Sequence, residues 1–206
     1  MILFDIETAP LLDAAAYIEA GEPPANYKQP EAIAKWRAED QARQLQRAAL
    51  DPDLCRIVAI CFKRPNEDEF LWLPRDAAHE AAHVEMFWRR LPRDLPVVGF
   101  GCLHFDLPVL YRRSLYLGIK PVRLQREKYR HDDVIDLADI LSEQGRLRLR
   151  SLDFYCSRFG IDIPAAGDGA DVPGWVAAGQ WDQVEAHVRA DVLRTEALAR
   201  RMGVLV

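Results

Sequence analysis

The sequence lacks several features that would assign a protein to a class at once. Its four cysteines include no CxxC pair, so they have neither zinc nor iron–sulfur spacing. Scattered cysteines of this kind are typical of reduced thiols, and we expect a cytoplasmic protein. No apolar run approaches the length of a membrane span, and the N-terminus has no basic and apolar signal pattern. The composition therefore predicts no membrane partner.

Positive charge is also in deficit, since the formal net charge is −5. This argues against a protein that coats nucleic acid by bulk electrostatics. The charge is uneven, because residues Arg112 to Arg150 contain ten Lys or Arg against six Asp or Glu. Such a basic stretch is compatible with local contact to phosphates, and equally with a solvated basic surface. The 206 residues are enough for one domain with its own hydrophobic core.

The first ten residues, MILFDIETAP, predict a β-strand. Phe4 and Ile6 alternate with Asp5 and Glu7, which is the period of a strand. The two carboxylates then lie on one face, about 7 Å apart. Carboxylates this close repel each other unless a cation, a base or water lies between them. The pair is therefore either an acidic face of an exposed strand or half of a site for Mg²⁺ or Mn²⁺, which prefer oxygen ligands.

The next segments predict an antiparallel meander with an insertion. Residues 54–63 and 69–73 have strand composition, and short connections favour antiparallel pairing with the first strand. Residues 11–50 combine a Pro- and Gly-rich loop with an exposed helix over 31–50, so we interpret them as a helical insertion. Further along, the pattern predicts a strand at 95–100 and helices at 76–91, 132–141, 151–159 and from Trp181 onward.

The helix over 76–91 contains His79-Glu80-Ala81-Ala82-His83, which matches the zinc-protease motif H-E-x-x-H. The apolar stripe predicted for this helix is formed by Ala77, Ala81, Val84, Trp88 and Leu91. Both histidines lie on the opposite face of the helix from this stripe. Zinc ligands need the wall of a cleft, so we interpret the match as fortuitous.

Other acidic residues have two interpretations each. Asp106 lies between a predicted strand and a helix, so it is either an N-cap or a ligand at the carboxyl end of the strand. The segment 132–141 places its aspartates three residues apart, which is typical of a solvated helical face. His187 and Asp191 are one turn apart on the last helix, where they form either a surface pair or part of a site.

Taken together, the carboxylates resemble motifs I, II and III of the DEDD 3′–5′ exonucleases, which share a ribonuclease H-like fold. The matching segments are FDIET with Asp5 and Glu7, GFGCLHFD with Asp106, and HVRAD with Asp191. In particular, the chain resembles the stand-alone group related to the proofreading domain of family-B DNA polymerases. The resemblance covers nearly the whole chain, so it implies a single exonuclease domain over 1–206. The implied fold is α/β, with a mixed five-stranded sheet whose first three strands are antiparallel, flanked by helices.

The resemblance also implies a chemistry and a partner. The chain would hydrolyse phosphodiester bonds at the 3′ ends of single-stranded nucleic acid, either DNA or RNA, as a free-standing nuclease. Two Mg²⁺ or Mn²⁺ ions would be held by Asp5, Glu7, Asp106 and Asp191. By the same resemblance Asp5 would bridge both ions, and Thr8 would lie against the 3′-terminal nucleotide.

Two positions differ from the family pattern. Motif II usually begins with Asn five residues before its Asp, where this chain has Gly101. Motif III has either Tyr four residues or His five residues before its Asp; His187 lies in the tyrosine register and Ala186 in the histidine register. Because imidazole titrates near neutral pH, we predict that His187 positions the attacking water. The alternative to an enzyme is a catalytically silent ribonuclease H-like module that binds nucleic acid or a protein partner.

Overall fold

A computed structural model describes residues 1–91, 95–125 and 133–205, which are built around one mixed sheet. Its strands are β1 (Ile2–Pro10), β2 (Cys55–Lys63), β3 (Phe70–Trp72), β4 (Val97–Gly99) and β5 (Val134–Asp136). The order across the sheet is β3-β2-β1-β4-β5. β1, β2 and β3 pair antiparallel, whereas β4 pairs parallel with both β1 and β5. The predicted α/β fold, with five strands of which the first three are antiparallel, is confirmed.

Helices flank the sheet. They are α1 (Pro30–Arg47), α2 (Ala77–Arg90), α3 (Asp106–Tyr116), α4 (Leu137–Leu141), α5 (Leu152–Arg158), α6 (Val172–Ala177) and α7 (Trp181–Arg201). Short 3₁₀ turns occur at Ala14–Ala16, Ala48–Leu50 and Gly169–Asp171. Within the described ranges, no helix is both long and apolar enough to cross a membrane.

The alternation of side chains in β1 divides the core between the two faces of the sheet. Ile2, Phe4 and Ile6 belong to one apolar cluster, together with side chains of α2 and α3. Leu3 and Ala9 belong to the other cluster, together with side chains of α5 and α7. Because burial of each large apolar side chain contributes about 1.5–3 kcal/mol, both faces hold helices firmly against this strand. β1 is therefore the fixed centre from which Asp5 and Glu7 project.

The segment 11–50 leaves the sheet after β1 and returns before β2. Its helix α1 has no buried residue and is the exposed helix that the composition predicted. The backbone N–H of Gly21 donates to the carboxylate of Asp40 at 2.9 Å, which ties the loop to the helix. Where the segment returns, the Thr8 hydroxyl donates to the carbonyl of Ala49 at 2.6 Å. The insertion therefore ends beside the strand that carries the acidic pair.

The predicted helix over 132–141 is wrong in its first half. Val134–Asp136 is the edge strand β5, and the helix is limited to Leu137–Leu141. Asp136 is not on a solvated face, since it is 1% exposed. Its carboxylate caps α4 through the N–H of Ala138 at 2.9 Å and also accepts the N–H of Gly101 at 2.7 Å. A three-residue strand is too short for its periodicity to be distinguished from that of a helix. The neighbouring basic residues 126–132 lie outside the described residues.

In the H-E-x-x-H segment the glutamate is buried, whereas the two histidines lie at or near the surface. Glu80 is 2% exposed, and its carboxylate is bound by Arg113 through Nε at 2.7 Å and Nη2 at 2.8 Å. The same carboxylate accepts the N–H of Ile57 at 2.9 Å. His79 is exposed and His83 is half-buried, with their rings stacked on each other. Glu80 is therefore an internal link between α2, α3 and β2, and these three side chains do not share a cleft.

The apolar stripe predicted for α2 is wrong at its N-terminal end. Ala77 is exposed, whereas Glu80 and Phe87 are buried. Apolar periodicity counts only hydrophobic side chains, so it missed a charged residue that is buried because an arginine on another helix neutralises it.

Candidate active site

One cavity of about 720 Å³ collects acidic residues that are far apart in the sequence. The predicted site residues that line it are Asp5, Glu7 and Thr8 on β1, Asp106 on α3, and His187 and Asp191 on α7. We call the four carboxylates Asp5, Glu7, Asp106 and Asp191 the acidic quartet. The sheet topology explains why Asp106 lies near the acids of β1. β1 and β4 are parallel neighbours, and the chain enters α3 just beyond β4.

The end of β1 contains an irregularity at the cavity. The antiparallel register with β2 shifts between Glu7 and Thr8. Such an irregularity changes the direction of the side chains that follow it, and irregularities of this kind are frequent beside functional sites. In a regular strand Glu7 and Thr8 would face opposite sides of the sheet, yet both line this cavity.

Asp106 is not an N-cap. It is the first residue of α3 and makes no capping hydrogen bond with its side chain; the N-cap position is taken by Phe105. Its carboxylate instead accepts the backbone N–H of Ile6 at 3.2 Å, which ties α3 to β1 between the two acids of the strand. A negative charge in the first turn is also favoured by the helix dipole. The N-cap interpretation is wrong because the backbone N–H that the Asp106 carboxylate accepts belongs to Ile6 on β1 and not to the first turn of α3.

The electrostatics of the acidic quartet are unfavourable for four ionised groups. Burial raises the pKa of Asp5 well above its ordinary value, and repulsion from Asp106, Glu7 and Asp191 raises it further. Burial, followed by repulsion from Asp191 and Asp106, does the same to the pKa of Glu7. Burial raises the pKa of Asp106 to about 7 and is also the main cause of the raised pKa of Asp191. Cations placed among these groups would favour their ionised forms.

The side chain of His187 is buried in the wall of the cavity and is not exposed to bulk solvent. Its Nε2 lies 3.3 Å from Oε1 of Glu7 and 4.0 Å from Oδ2 of Asp191. Its Nδ1 is buried and has no hydrogen-bond partner among the described residues. Gly169 lies beside the ring, since a Cβ atom at this position would be in van der Waals contact with Nε2, at 3.4 Å. The interpretation of His187 and Asp191 as an exposed helical pair is therefore wrong.

Sequence reasoning missed Arg194, which also lines the cavity. It is 4% exposed, with Nη1 3.0 Å from Oδ1 of Asp191 and Nη2 in an ion pair with Asp153. Its Nε is buried without a hydrogen-bond partner in the part of the chain that the structure describes. The only local signal was its position three residues after Asp191, which places both side chains on one side of the helix.

The acidic quartet has the donor chemistry of a site for hard divalent cations. Asp5 supports this fit, because it is half-buried among the other acids and has no described cationic partner. The other three carboxylates contact protein groups: Glu7 contacts His187, Asp106 accepts an amide, and Asp191 pairs with Arg194. In the placement observed, no group of three or more His, Cys, Asp or Glu side chains of the described ranges forms a ready metal site. The donor types therefore fit a metal, and binding would require side-chain rotation.

The fold is similar to part of a solved family B DNA polymerase from the hyperthermophilic archaeon Pyrobaculum calidifontis. The TM-score is 0.60 with 19% sequence identity, over 98% of this chain and 24% of the polymerase chain. At this identity the likeness concerns the fold alone, and the chain spans about a quarter of the polymerase. Among curated proteins, none has a sequence that matches the chain.

A family described as a predicted 3′–5′ exonuclease related to the exonuclease domain of PolB matches residues 49–205. This range contains Asp106, His187 and Asp191, whereas Asp5 and Glu7 precede it. The match covers most of the chain, from the return of the insertion to the end of α7. The chain therefore belongs to the family of predicted 3′–5′ exonucleases related to the exonuclease domain of PolB, as its motifs predicted.

Proposed function

We propose that this chain is a divalent-metal-dependent exonuclease that hydrolyses phosphodiester bonds at the 3′ ends of single-stranded DNA or RNA. The observation that carries the proposal is the convergence of the acidic quartet, from three separate elements, on one cavity. A protein without a cationic ligand gains nothing from four clustered acids that repel one another. Membership of a family of predicted exonucleases supports the same activity.

Each acid has a proposed part in holding two Mg²⁺ or Mn²⁺ ions, which when bound supply activation of water and stabilisation of the leaving 3′ oxygen. Asp5 would be one of the residues that hold these ions, because it is repelled by Asp106, Glu7 and Asp191 and has no described cationic partner. Glu7, Asp106 and Asp191 complete the ligand set. Thr8 would lie against the 3′-terminal nucleotide; its hydroxyl hydrogen is used by Ala49, so its oxygen is available to accept a hydrogen bond from a sugar hydroxyl.

His187 would orient the attacking water and accept its proton. Nε2 of His187 lies 3.3 Å from Oε1 of Glu7, so this carboxylate is the group in position to orient the ring. Nε2 faces the acidic quartet, whereas Nδ1 is buried, so Nε2 is the atom proposed to take the proton. Glu7 would then stabilise the imidazolium that forms. The contact with Glu7 would thus orient the imidazole of His187, although the residue lies four positions before Asp191, where one branch of the family has tyrosine.

The second candidate is a catalytically silent module that binds nucleic acid or a protein. One observation favours it: Arg194 already supplies a positive charge to Asp191 at 3.0 Å. In a silent module Arg194 would remain the cationic partner of Asp191 in the presence of Mn²⁺, whereas in an exonuclease this carboxylate would also bind a metal.

The deciding experiment is a nuclease assay on 3′-labelled and 5′-labelled single strands of DNA and of RNA, with Mn²⁺, with Mg²⁺ and with EDTA. For an exonuclease we expect metal-dependent shortening from the 3′ end that is absent in Asp5→Ala. Asp182→Ala is the matched control, because Asp182 is an exposed acid of α7 and its substitution changes the net charge equally. Comparison of DNA with RNA would also identify the preferred sugar.

The same positions separate the two candidates when cleavage is weak. The double variant Asp5→Ala, Glu7→Ala would lose cleavage in an exonuclease, whereas a silent binder would keep or improve its affinity once the repelling acids are removed. Absence of cleavage for every substrate with either metal would contradict the exonuclease and favour the silent module.

A further inference from the structure

A short basic segment lies beside the cavity but belongs to none of the motifs. Residues 146–150, RLRLR, alternate arginine with leucine, and we call this segment the arginine ridge. All five residues are exposed, including the two leucines. The chain continues from the ridge directly into Ser151, Leu152 and Asp153, which line the cavity. The ridge is therefore an exposed basic approach to an acidic site.

The three arginines of the ridge have no carboxylate partner among the described residues, unlike several other arginines of the chain. Arg89, Arg189 and Arg194, for example, each form an ion pair with an acid. Within the described ranges, none of the three ridge arginines forms one. The ridge therefore places three guanidinium groups without a described carboxylate partner within five residues of the chain. Guanidinium groups bind phosphate oxygens with two parallel hydrogen bonds, so these groups are available to a polyanion.

An exposed aromatic ring lies next to the ridge. The guanidinium of Arg150 lies over the ring of Phe154, 5.3 Å from its centroid, and Phe154 is 43% exposed. The backbone N–H of Arg150 donates to the hydroxyl of Tyr155 at 3.3 Å, which fixes the end of the ridge to α5. Exposed aromatic rings bind unpaired bases by stacking, and an arginine adds to this attraction.

We propose that the arginine ridge and Phe154 form a binding surface for the single strand whose 3′ end enters the cavity. The phosphates would contact Arg146, Arg148 and Arg150, and one base would stack on Phe154. The inference rests on the proposed function for the position of the 3′ end. A double-stranded ligand is disfavoured, because the bases of a duplex are not free to stack on a protein side chain.

The test compares binding and cleavage in the triple variant Arg146→Gln, Arg148→Gln, Arg150→Gln. Binding is measured in EDTA by fluorescence anisotropy of a labelled oligo(dT) of about 15 nucleotides, so that no cleavage occurs. We expect about tenfold weaker binding at low salt. The slope of log affinity against log salt should be less steep by about two, because each phosphate contact on a single strand contributes about 0.7. Phe154→Ala should weaken binding without changing this slope.

Two control variants make the result specific to the ridge. The triple variant Arg64→Gln, Arg89→Gln, Arg201→Gln removes the same charge from exposed positions outside the cavity and should bind as the wild type does. The triple lysine variant of the ridge keeps the charges and should recover most of the affinity. Equal losses in both glutamine variants, or wild-type affinity and slope in the ridge variant, would overturn the proposal.

Measurement of cleavage shows whether the proposed binding surface or the proposed exonuclease activity is wrong. The ridge variant should have a higher KM for the long strand and unchanged cleavage of a dinucleotide, which is too short to reach the ridge. Ridge-dependent binding by a protein that cleaves nothing would support the surface and contradict the exonuclease. Unchanged KM for the long strand in an active enzyme would contradict the surface alone.

Discussion

The imidazole of His187 is held by Glu7, with 3.3 Å between Nε2 and Oε1, so the last helix of the chain is joined to its first strand inside the cavity. The helical spacing pointed instead to Asp191, one turn away, whose carboxylate lies at 4.0 Å. Glu7 contacts the ring at Nε2, and Gly169 lies beside the same nitrogen. The position of His187 in the tyrosine register is therefore compatible with a role at the cavity.

His187→Phe should abolish the proton transfer and keep the packing of the ring. We expect kcat to fall about 10²–10⁴-fold, because this is the usual contribution of a positioned acid–base group. The limb of the pH–rate profile that reports a base should disappear at the same time. His104→Phe is the matched control, because His104 is exposed and does not line the cavity. Wild-type kcat in His187→Phe would eliminate this role.

The metal-free protein should lose stability as the pH rises. The folded pKa of Asp106 is about 7, and that of Asp5 is also raised, so both exceed their values of about 4 in the unfolded chain. Their contribution to stability is therefore complete below about pH 4 and is lost as the pH rises through the folded pKa values. We expect the Tm in EDTA to fall by about 5 °C or more between pH 5.5 and pH 8.

Two additions test the cause of this pH dependence. Mn²⁺ should raise the Tm more at pH 8 than at pH 5.5, because metals bind the deprotonated carboxylates. Asp106→Asn should flatten the pH dependence in EDTA, whereas Asp182→Asn should leave it unchanged. A Tm that is independent of pH in EDTA would contradict the raised pKa values.

Arg194→Gln should destabilise the metal-free protein by about 3 kcal/mol, because it leaves Asp191 without its buried cationic partner. In the exonuclease this loss should shrink when Mn²⁺ is added, since a metal would take the place of the guanidinium beside Asp191. Urea unfolding with EDTA and with Mn²⁺ measures both values. Equal losses under the two conditions would mean that Asp191 keeps its protein partner, as expected for the silent module.

Glu80→Ala should cost about 3–5 kcal/mol of unfolding free energy. The substitution leaves Arg113 buried without its carboxylate and removes the acceptor of the Ile57 N–H. His79→Ala, one residue earlier and exposed, should change stability by less than about 0.5 kcal/mol. Urea unfolding of the two variants compares them directly. A catalytic zinc site would instead make both variants inactive, with zinc lost from His79→Ala, because the histidines of this motif are the metal ligands.

Gly101→Asn should be tolerated, because Gly101 has φ of +78° and asparagine is among the residues that adopt this conformation. Glycine in this chain and asparagine in the family pattern can therefore adopt the same backbone conformation at this position. Gly101→Ala should cost about 1–2 kcal/mol. Gly174→Ala is the control at a glycine with ordinary φ and open space for a Cβ, where we expect no loss of stability. Equal stability of both alanine variants would show that the left-handed conformation is not required.

Much of the fold was predictable because its signals are local. The alternation in Ile2–Pro10, the composition of Cys55–Lys63 and the apolar strip of Trp181–Arg201 depend on residues within one element. Asp5 and Asp106 could likewise be selected from their motifs alone. Where an element is short, as in Val134–Asp136, local periodicity carried too little information to identify it.

By itself, the sequence determined the sheet-forming segments other than Val134–Asp136, the exposed insertion helix, the family and the order of the acidic motifs. Only the tertiary structure decided which groups those acids meet. The amide of Ile6 beside Asp106, the imidazole beside Glu7 and the guanidinium of Arg194 beside Asp191 are such contacts. The physical reason is that burial, repulsion and hydrogen bonding act between neighbours in space, whereas a sequence pattern records only neighbours along the chain.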